Sequence, residues 1–267
     1  ICKRKHYNKS CKGVLKMISE KRQSLILQEL KKKDFLSLQE LIERTGCSAS
    51  TIRRDLSKLQ QLGRLQRVHG GATLNSHRNQ EPILSEKLST NLKEKREIGR
   101  KAAQLIEDND CIFMDAGSST IEMIPFIKAQ DIVVVTNGLS HVERLLHRGI
   151  KTLMIGGEVK ATTFATVGAS ALEVLRRYCF DKAFIGMNGL DLNHGLTTPD
   201  EKEALIKERA IHQATTSYVL LDHSKLDEIY FAHVSTKSCH VEYIVSEQLR
   251  HHNRYNEYKE KYHFLGG

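Results

Sequence analysis

Residues 38–56 read Leu-Gln-Glu-Leu-Ile-Glu-Arg-Thr-Gly-Cys-Ser-Ala-Ser-Thr-Ile-Arg-Arg-Asp-Leu, and residues 64–73 read Arg-Leu-Gln-Arg-Val-His-Gly-Gly-Ala-Thr. Leu38, Leu41 and Ile42 fall on one face of a short helix, and Gly46 stands just past that run, where a glycine ends a helix. Ser48 or Ser50 can cap a second helix, which carries Ile52, Leu56 and Leu59 at helical spacing. Helix, tight turn, helix is the helix-turn-helix pattern. With the apolar stripe of the second helix packed inward, Ser50, Arg54, Ser57 and Gln61 point outward, flanked by Thr51 and Arg53. That outer face is short, polar and cationic, as a helix lying in a DNA major groove requires.

After Gly63 the pattern changes from helical to alternating. Leu65 and Val68 are spaced by Arg64 and Arg67, and Gly70-Gly71 makes a turn, so the segment reads as a β-wing with Arg67 and His69 placed to reach a phosphate or a neighbouring groove. A run of charge by itself is ordinarily a solvated face. Here a turn, a cap, a basic helix face and a basic hairpin coincide, and the expected partner is double-stranded operator DNA, contacted by Ser48, Ser50, Thr51, Arg53, Arg54, Ser57, Lys58, Arg67 and His69. The strings Thr51-Ile-Arg-Arg-Asp-Leu56 and Arg67-Val-His-Gly-Gly-Ala72 resemble the winged helix-turn-helix of the DeoR family of bacterial transcriptional regulators, over residues 20–74.

The 267 residues suffice for two modest domains, and 40% hydrophobic with 27% charged residues are globular proportions. No apolar run is long enough to span a bilayer and no signal-peptide pattern is present, so the expected location is the cytoplasm and no membrane partner is expected. The six cysteines are scattered without a C-x-x-C pair, which disfavours a disulfide framework or a zinc site, and the thirteen histidines show no ligand spacing; neither a metal nor a cofactor is expected. Charge is uneven. Residues 1–16 carry six Lys/Arg and no acid, residues 17–74 eleven Lys/Arg against six acids, and the remainder 24 against 26. The positive charge sits at the end read as DNA-binding.

Residues 1–16 lack periodicity and read as an N-terminal extension ahead of Met17, the expected initiator; a basic arm gripping phosphates is the lesser alternative. The DNA-binding domain is placed at 17–74, opening with a helix from about Glu20 to Lys32. A polar linker with Pro82 follows over 75–92, a sensor domain over 93–250, and a C-terminal tail of unassigned role over 251–267. A helix is expected from Lys93 to Ile106. Five apolar strands then alternate with helices: Ile112–Met114, Ile132–Val135, Thr152–Ile155, Ala183–Ile185 and Tyr218–Leu221. Continuous β-branched runs between helices signal a parallel sheet covered on both sides, giving an α/β fold.

Ligands of such sheets bind at the carboxyl ends of the strands, where each of these runs ends in a glycine-rich or polar loop. Gly117-Ser118-Ser119-Thr120 opens a helix and can hold an anion, with Lys225 as counter-charge, while Asn137, Asn188 and Asp191 can hydrogen-bond hydroxyls. Glu203 and Lys207 are either pocket residues or an ordinary helical pair. The sum is a pocket for a small polyhydroxy phosphate.

The strings Asp115-Ala-Gly-Ser-Ser-Thr, Val135-Thr-Asn, Ile155-Gly-Gly-Glu, Asp181-Lys-Ala-Phe-Ile-Gly, Gly195-Leu-Thr-Thr-Pro-Asp-Glu-Lys-Glu-Ala and Asp222-His-Ser-Lys resemble the DeoR sensor domain, which is similar in fold to ribose-5-phosphate isomerase and glucosamine-6-phosphate deaminase. That resemblance implies a sugar-operon repressor released by a phosphorylated sugar, and adds Asp115, Gly156 and Gly157 to the expected effector contacts. The isomerases carry two carboxylates in a Gly-x-Asp-x-x-Asp segment; here Gly186-Met-Asn-Gly-Leu-Asp191 has Asn188 in the first place, which cannot exchange a proton. A sugar-phosphate isomerase or deaminase with an added DNA-binding module is therefore the alternative, not the first reading. The Ile185-Gly-Met-Asn-Gly and Thr197-Thr-Pro-Asp strings look most like fructose-operon repressors of Gram-positive bacteria, so fructose 1-phosphate is the expected effector, tagatose 6-phosphate the second. Because one winged helix contacts little DNA, a homo-oligomer, at least a dimer, is expected.

Overall fold

The computed structural model describes residues 19–33, 35–61, 64–68, 70–74 and 81–265. His69, Gly63, the expected extension 1–16 and residues 75–80 of the expected linker lie outside them. The chain divides into two compact units, Ile1–His77 and Arg78–Gly267.

In the first unit the order is α1 (Ser19–Lys32), β1 (Phe35–Ser37), α2 (Leu38–Thr45), α3 (Ala49–Gln61), β2 (Leu65–Val68) and β3 (Gly71–Leu74). Ser37 caps α2 in a reciprocal capping box with Glu40, satisfying two terminal N–H groups. Gly46 ends α2 at φ 66°, in the left-handed region. The strands pair antiparallel in the order β1-β3-β2, so the wing is a hairpin braced by β1, which the sequence pattern did not reveal. Ile26, Leu30, Leu36, Leu41, Ile52, Leu56, Leu59, Leu65 and Ala72 form the core. Beside it lies a buried polar contact between α1 and α3. The Asp55 carboxylate accepts from Arg22 Nε at 2.5 Å and from Gln23 Nε2 at 3.0 Å. Burial alone would raise the Asp55 pKa, but the Arg22 and Gln23 bonds outweigh it and hold the carboxyl below its usual range.

The second unit runs α4 (Leu84–Ser89), α5 (Leu92–Ala103), β4 (Cys111–Met114), β5 (Val133–Thr136), α6 (Leu139–His147), β6 (Lys151–Met154), β7 (Glu158–Val159), β8 (Thr166–Val167), α7 (Ala169–Leu175), β9 (Phe180–Gly186), β10 (Gly189–Asp191), β11 (Gly195–Thr198), α8 (Glu201–His212), β12 (Ala214–Leu221), β13 (Ala232–Val234), β14 (Val241–Val245), α9 (Tyr255–Lys261) and β15 (Phe264–Leu265). Among the described residues seven strands form one parallel sheet in the order β15-β14-β12-β9-β4-β5-β6. Alternate residues serve opposite faces. Phe113, Ala183, Ile185, Val219 and Leu221 enter one core; Ile112, Met114, Phe184, Tyr218 and Leu220 enter the other.

Several boundaries differ from the sequence reading. The helix expected from Ile121 is a 3-10 helix, Ile121–Phe126, containing Pro125, whose ring and missing N–H bar an α-helix from continuing. The stretch expected as linker to residue 92 carries α4, with Leu84 buried and its N–H bonded to Thr162 O at 2.8 Å. The expected tail is part of the fold. β15 extends the sheet beside β14, and the fully buried Tyr258 donates its hydroxyl to Leu190 O at 3.0 Å and Asp227 Oδ1 at 2.7 Å.

Candidate functional site

On α3 the inward stripe of Ile52, Asp55, Leu56 and Leu59 leaves Ser50, Arg53, Arg54 and Lys58 exposed, with Thr51 and Ser57 half-buried. Ser48 precedes the helix; its Oγ accepts from the Thr51 N–H at 3.4 Å and lies 3.0 Å from Ser50 Oγ. Arg67 of β2 donates to Ser57 Oγ at 2.8 Å, which ties the wing to the exposed face of α3.

The sheet of the second unit reverses its winding between β4 and β9: from β4 the chain proceeds outward to β5 and β6, and from β9 outward to β12, β14 and β15. At that switch point the loops leaving neighbouring strands diverge and open a crevice. A small cavity of about 40 Å³ lies there, walled by Asp115 to Ser119 after β4, by Gly186, Met187 and Asn188 from β9, by Glu203 and Lys207 of α8, by Lys225 after β12, by Thr163 and Ala165, and by Leu84 and Lys87 of α4. Close approach of the first two loops depends on glycine. A Cβ on Gly117 would lie 3.3 Å from Gly186 Cα, and a Cβ on Gly186 would lie 3.4 Å from Asp115 Oδ2.

Three lysines, Lys87, Lys207 and Lys225, face two carboxylates, Asp115 and Glu203, in this wall. Lys207 Nζ donates to Asp115 Oδ2 at 2.6 Å and to Gly186 O at 2.9 Å, clamping β4, β9 and α8 together. Burial would depress its pKa, but Asp115 and Glu203 outweigh this and raise it, so Lys207 is a fixed cation. Glu203 Oε1 accepts from Thr163 Oγ1 at 2.7 Å and Lys160 Nζ at 3.0 Å. Lys160 also meets Glu81 at 3.0 Å and Asp200 at 3.1 Å. Lys87 donates to Glu81 at 2.6 Å, yet burial outweighs that carboxylate and lowers its pKa. Lys225 Nζ stands 4.0 Å from Asp222 Oδ2, a buried oxygen with no hydrogen-bond partner among the described residues. Burial works against the Asp222 charge, but Lys225, Ser224 and Lys95 hold its pKa down to about 2.

Residues 90–248 match the DeoR C-terminal sensor domain, and residues 22–78 match the DeoR-like helix-turn-helix domain. The chain is 48% identical over 217 residues to the uncharacterized HTH-type transcriptional regulator FruR of Bacillus subtilis, covering 81% of this chain and 86% of that protein. The chain belongs to the DeoR family. A lactose phosphotransferase system repressor of Lactococcus lactis is 36% identical across 79% of this chain and 84% of its own length. A D-ribose-5-phosphate isomerase structure in complex with phospho-erythronic acid aligns with 51% of this chain and 54% of its own, at 20% identity and a TM-score of 0.39. This DeoR-family chain is accordingly a DNA-binding transcriptional regulator and not an enzyme, with a winged helix-turn-helix followed by an α/β sensor domain.

In this DeoR sensor domain Asp115, Gly117, Ser118, Ser119, Asn188, Glu203 and Lys225 share the cavity wall, and five other expected contacts do not. Thr120 is fully buried and its hydroxyl donates to Asp115 O at 2.6 Å and lies 3.0 Å from His141 Nε2. Asn137 spends both ends of its amide on the fold: Oδ1 accepts from Ala116 N at 2.9 Å and Nδ2 donates to Thr166 O at 3.3 Å. Asp191 turns to its own hairpin, accepting from the N–H groups of Asn193 and His194. Gly156 and Gly157 follow β6, the strand farthest from the switch point on that side. Glu203 and Lys207 both face the cavity and bond to other partners, not to each other. Leu84, Lys87, Thr163 and Met187 were missed; no spacing marks them, because α4 and the loop before β8 reach the site only through tertiary packing.

Among the described residues no helix is long and apolar enough to cross a membrane, and no group of three or more His, Cys, Asp or Glu side chains could hold a metal ion.

Proposed function

We propose that this protein represses a sugar-utilisation operon and is released from its operator by a phosphorylated sugar bound in the switch-point cavity. The observation that carries this reading is a crevice at the switch point whose wall holds three lysines against two carboxylates, in the same chain as a winged helix-turn-helix. Lys225 is the lysine with the loosest carboxylate contact, and with Lys87 and the Gly117–Ser119 loop it supplies the phosphate end. Asp115, Asn188 and Glu203 supply acceptors for hydroxyls. The lactose phosphotransferase system repressor supports a sugar-linked role. The relative FruR, together with the resemblance to regulators of fructose utilisation, favours fructose 1-phosphate as the first ligand to try.

At the operator, Arg53, Arg54, Lys58 and Arg67 reach phosphates or base edges, with Ser48, Ser50, Thr51 and Ser57 completing the face; His69, outside the described residues, is kept as a further expected contact. Two copies of the chain present two such faces to paired half-sites, so the working form is at least a dimer. A thermal-shift panel of sugar phosphates on the full chain tests the sensor reading: one member raises the midpoint by several degrees, and Lys225→Ala abolishes that rise while leaving operator binding intact. A panel in which every sugar phosphate is inert removes the reading.

A further inference from the structure

The segment 81–91 connects the wing to the sensor sheet, yet it is also part of the cavity. Leu84 and Lys87 stand in the wall. The segment is tied down at several points, Leu84 N–H to Thr162 O at 2.8 Å, Glu81 to Lys160, and Asn91 Nδ2 to Asp222 Oδ1 at 2.9 Å, and Lys87 bonds Glu81 within it. Lys95 of α5 donates to the Lys87 carbonyl oxygen. α4 has only six residues, far below the length at which a helix persists alone in water, so these contacts decide where it sits.

We propose that α4 is the element through which cavity occupancy reaches the winged helix, with Lys87 as a ligand contact that an anion draws away from Glu81. This rests on the sugar-phosphate reading of the cavity. Glu81 holds Lys87 with one carboxylate oxygen and Lys160 with the other, and Lys160 in turn holds Glu203 in the cavity wall. An anion between Lys87, Lys225 and the Gly117–Ser119 loop competes with Glu81 for the same cation. Moving Lys87 moves α4, because six residues of backbone carry Lys87, Leu84 and the Thr162 bond together. β3 ends at Leu74, seven positions before Glu81, so the segment is close in sequence to the wing. The ligand can act only through a difference in affinity between the two seatings of α4. The Glu81–Lys87 pair supplies one, since it is intact in the first seating and broken in the second.

Amide hydrogen exchange by mass spectrometry on the full chain tests this, with fructose 1-phosphate, fructose 6-phosphate, glucose 6-phosphate and tagatose 6-phosphate as probes at millimolar concentration. The expected result is slowed exchange at 115–119 and 186–188 together with altered exchange across 84–91 for the same probe. Slowing at the loops with 84–91 unchanged overturns the role of α4 and leaves the sugar-phosphate reading standing. No change anywhere with any probe overturns both. Charge variants give a second arm. Glu81→Gln keeps an oxygen that can accept from Lys87 but removes the competing charge, so sugar-phosphate affinity rises by about tenfold. Lys87→Gln lowers affinity by about tenfold or more and removes the exchange response at 84–91. A Glu81→Gln protein that binds no more tightly than the unaltered chain contradicts the competition.

Discussion

Replacing Asp55 by Ala removes the acceptor that joins α1 to the recognition helix α3. Asp55 is 3% exposed and Arg22 9%, and Gln23 donates to the same carboxylate. Two unit charges about 4 Å apart attract by about 4 kcal/mol at an effective dielectric of 20. Burial of each ion carries a penalty of several kcal/mol, so the intact pair contributes little net stability. Removing one partner is different: Arg22 and Gln23 both lose the buried acceptor that joins α1 to α3, a loss of about 3–5 kcal/mol. Among the described residues the unit that suffers it has a core of nine buried apolar side chains, and a domain of that size has little stability to spare. Calorimetry of the full chain reads the effect. In Asp55→Ala the transition of the winged-helix unit falls by on the order of 20 °C or vanishes, while the transition of the second unit stays in place. The double variant Arg22→Met with Asp55→Leu recovers most of the loss, because an apolar pair leaves no buried charge. A single variant that shifts by less than about 5 °C, or a double variant as unstable as the single, refutes the reasoning.

Other outcomes follow from the same geometry. Arg54→Ala weakens specific operator binding by about 1–3 kcal/mol if Arg54 meets a base edge, or lowers the salt slope by about one unit if it meets a phosphate; anisotropy titrations at two salt concentrations separate these. Tyr258→Ala destabilises the second unit by about 3–5 kcal/mol in urea unfolding, since it empties a fully buried aromatic site and removes the hydroxyl that bonds Leu190 O and Asp227. Lys95, 2% exposed, is pushed down to about 8 by burial. Its folded pKa lies below the unfolded value, so between pH 8 and about 10.4 the unfolded chain binds more protons and stability rises with pH, by about 3 kcal/mol in all. Lys95→Met removes that part of the slope, as unfolding curves at pH 7, 8, 9 and 10 will record.

The sequence reading reached the elements whose stability is local or whose burial is complete. α2 and α3 announce themselves by a glycine stop and a three–four apolar step. β4, β5, β9 and β12 announce themselves because strands of a covered parallel sheet are uninterrupted apolar runs, while the largely exposed edge strand β6 shows itself only by its Leu153-Met154 end. β14 was passed over because Val241-Glu-Tyr-Ile-Val carries a charge at its second position, and α9 with β15 because 251–267 is polar except for a few aromatics whose burial depends on β10 and β14. The candidate site was legible as a set of strand-end loops, but not which loops meet. That is decided by strand order. β4 and β9 adjoin at the switch point and bring Asp115–Ser119 against Gly186–Asn188. β5 and β6 lie outward of β4 and take Asn137, Gly156 and Gly157 with them. Asp191 was misplaced for a related reason: Gly189–Asp191 forms β10, which pairs with β11 and carries the carboxylate into its own turn.

Operator affinity measured across a sugar-phosphate titration tests the central claim most directly. Fluorescence anisotropy of labelled operator with the full chain, titrated with fructose 1-phosphate and then with the other sugar phosphates, is predicted to show release with one of them, by about 5–150-fold for a coupling of about 1–3 kcal/mol. Lys225→Ala is predicted to hold the operator throughout the same titration. Release of Lys225→Ala at the effector concentration that releases the unaltered chain would put the phosphate site elsewhere, and an operator curve that no sugar phosphate moves would contradict the account.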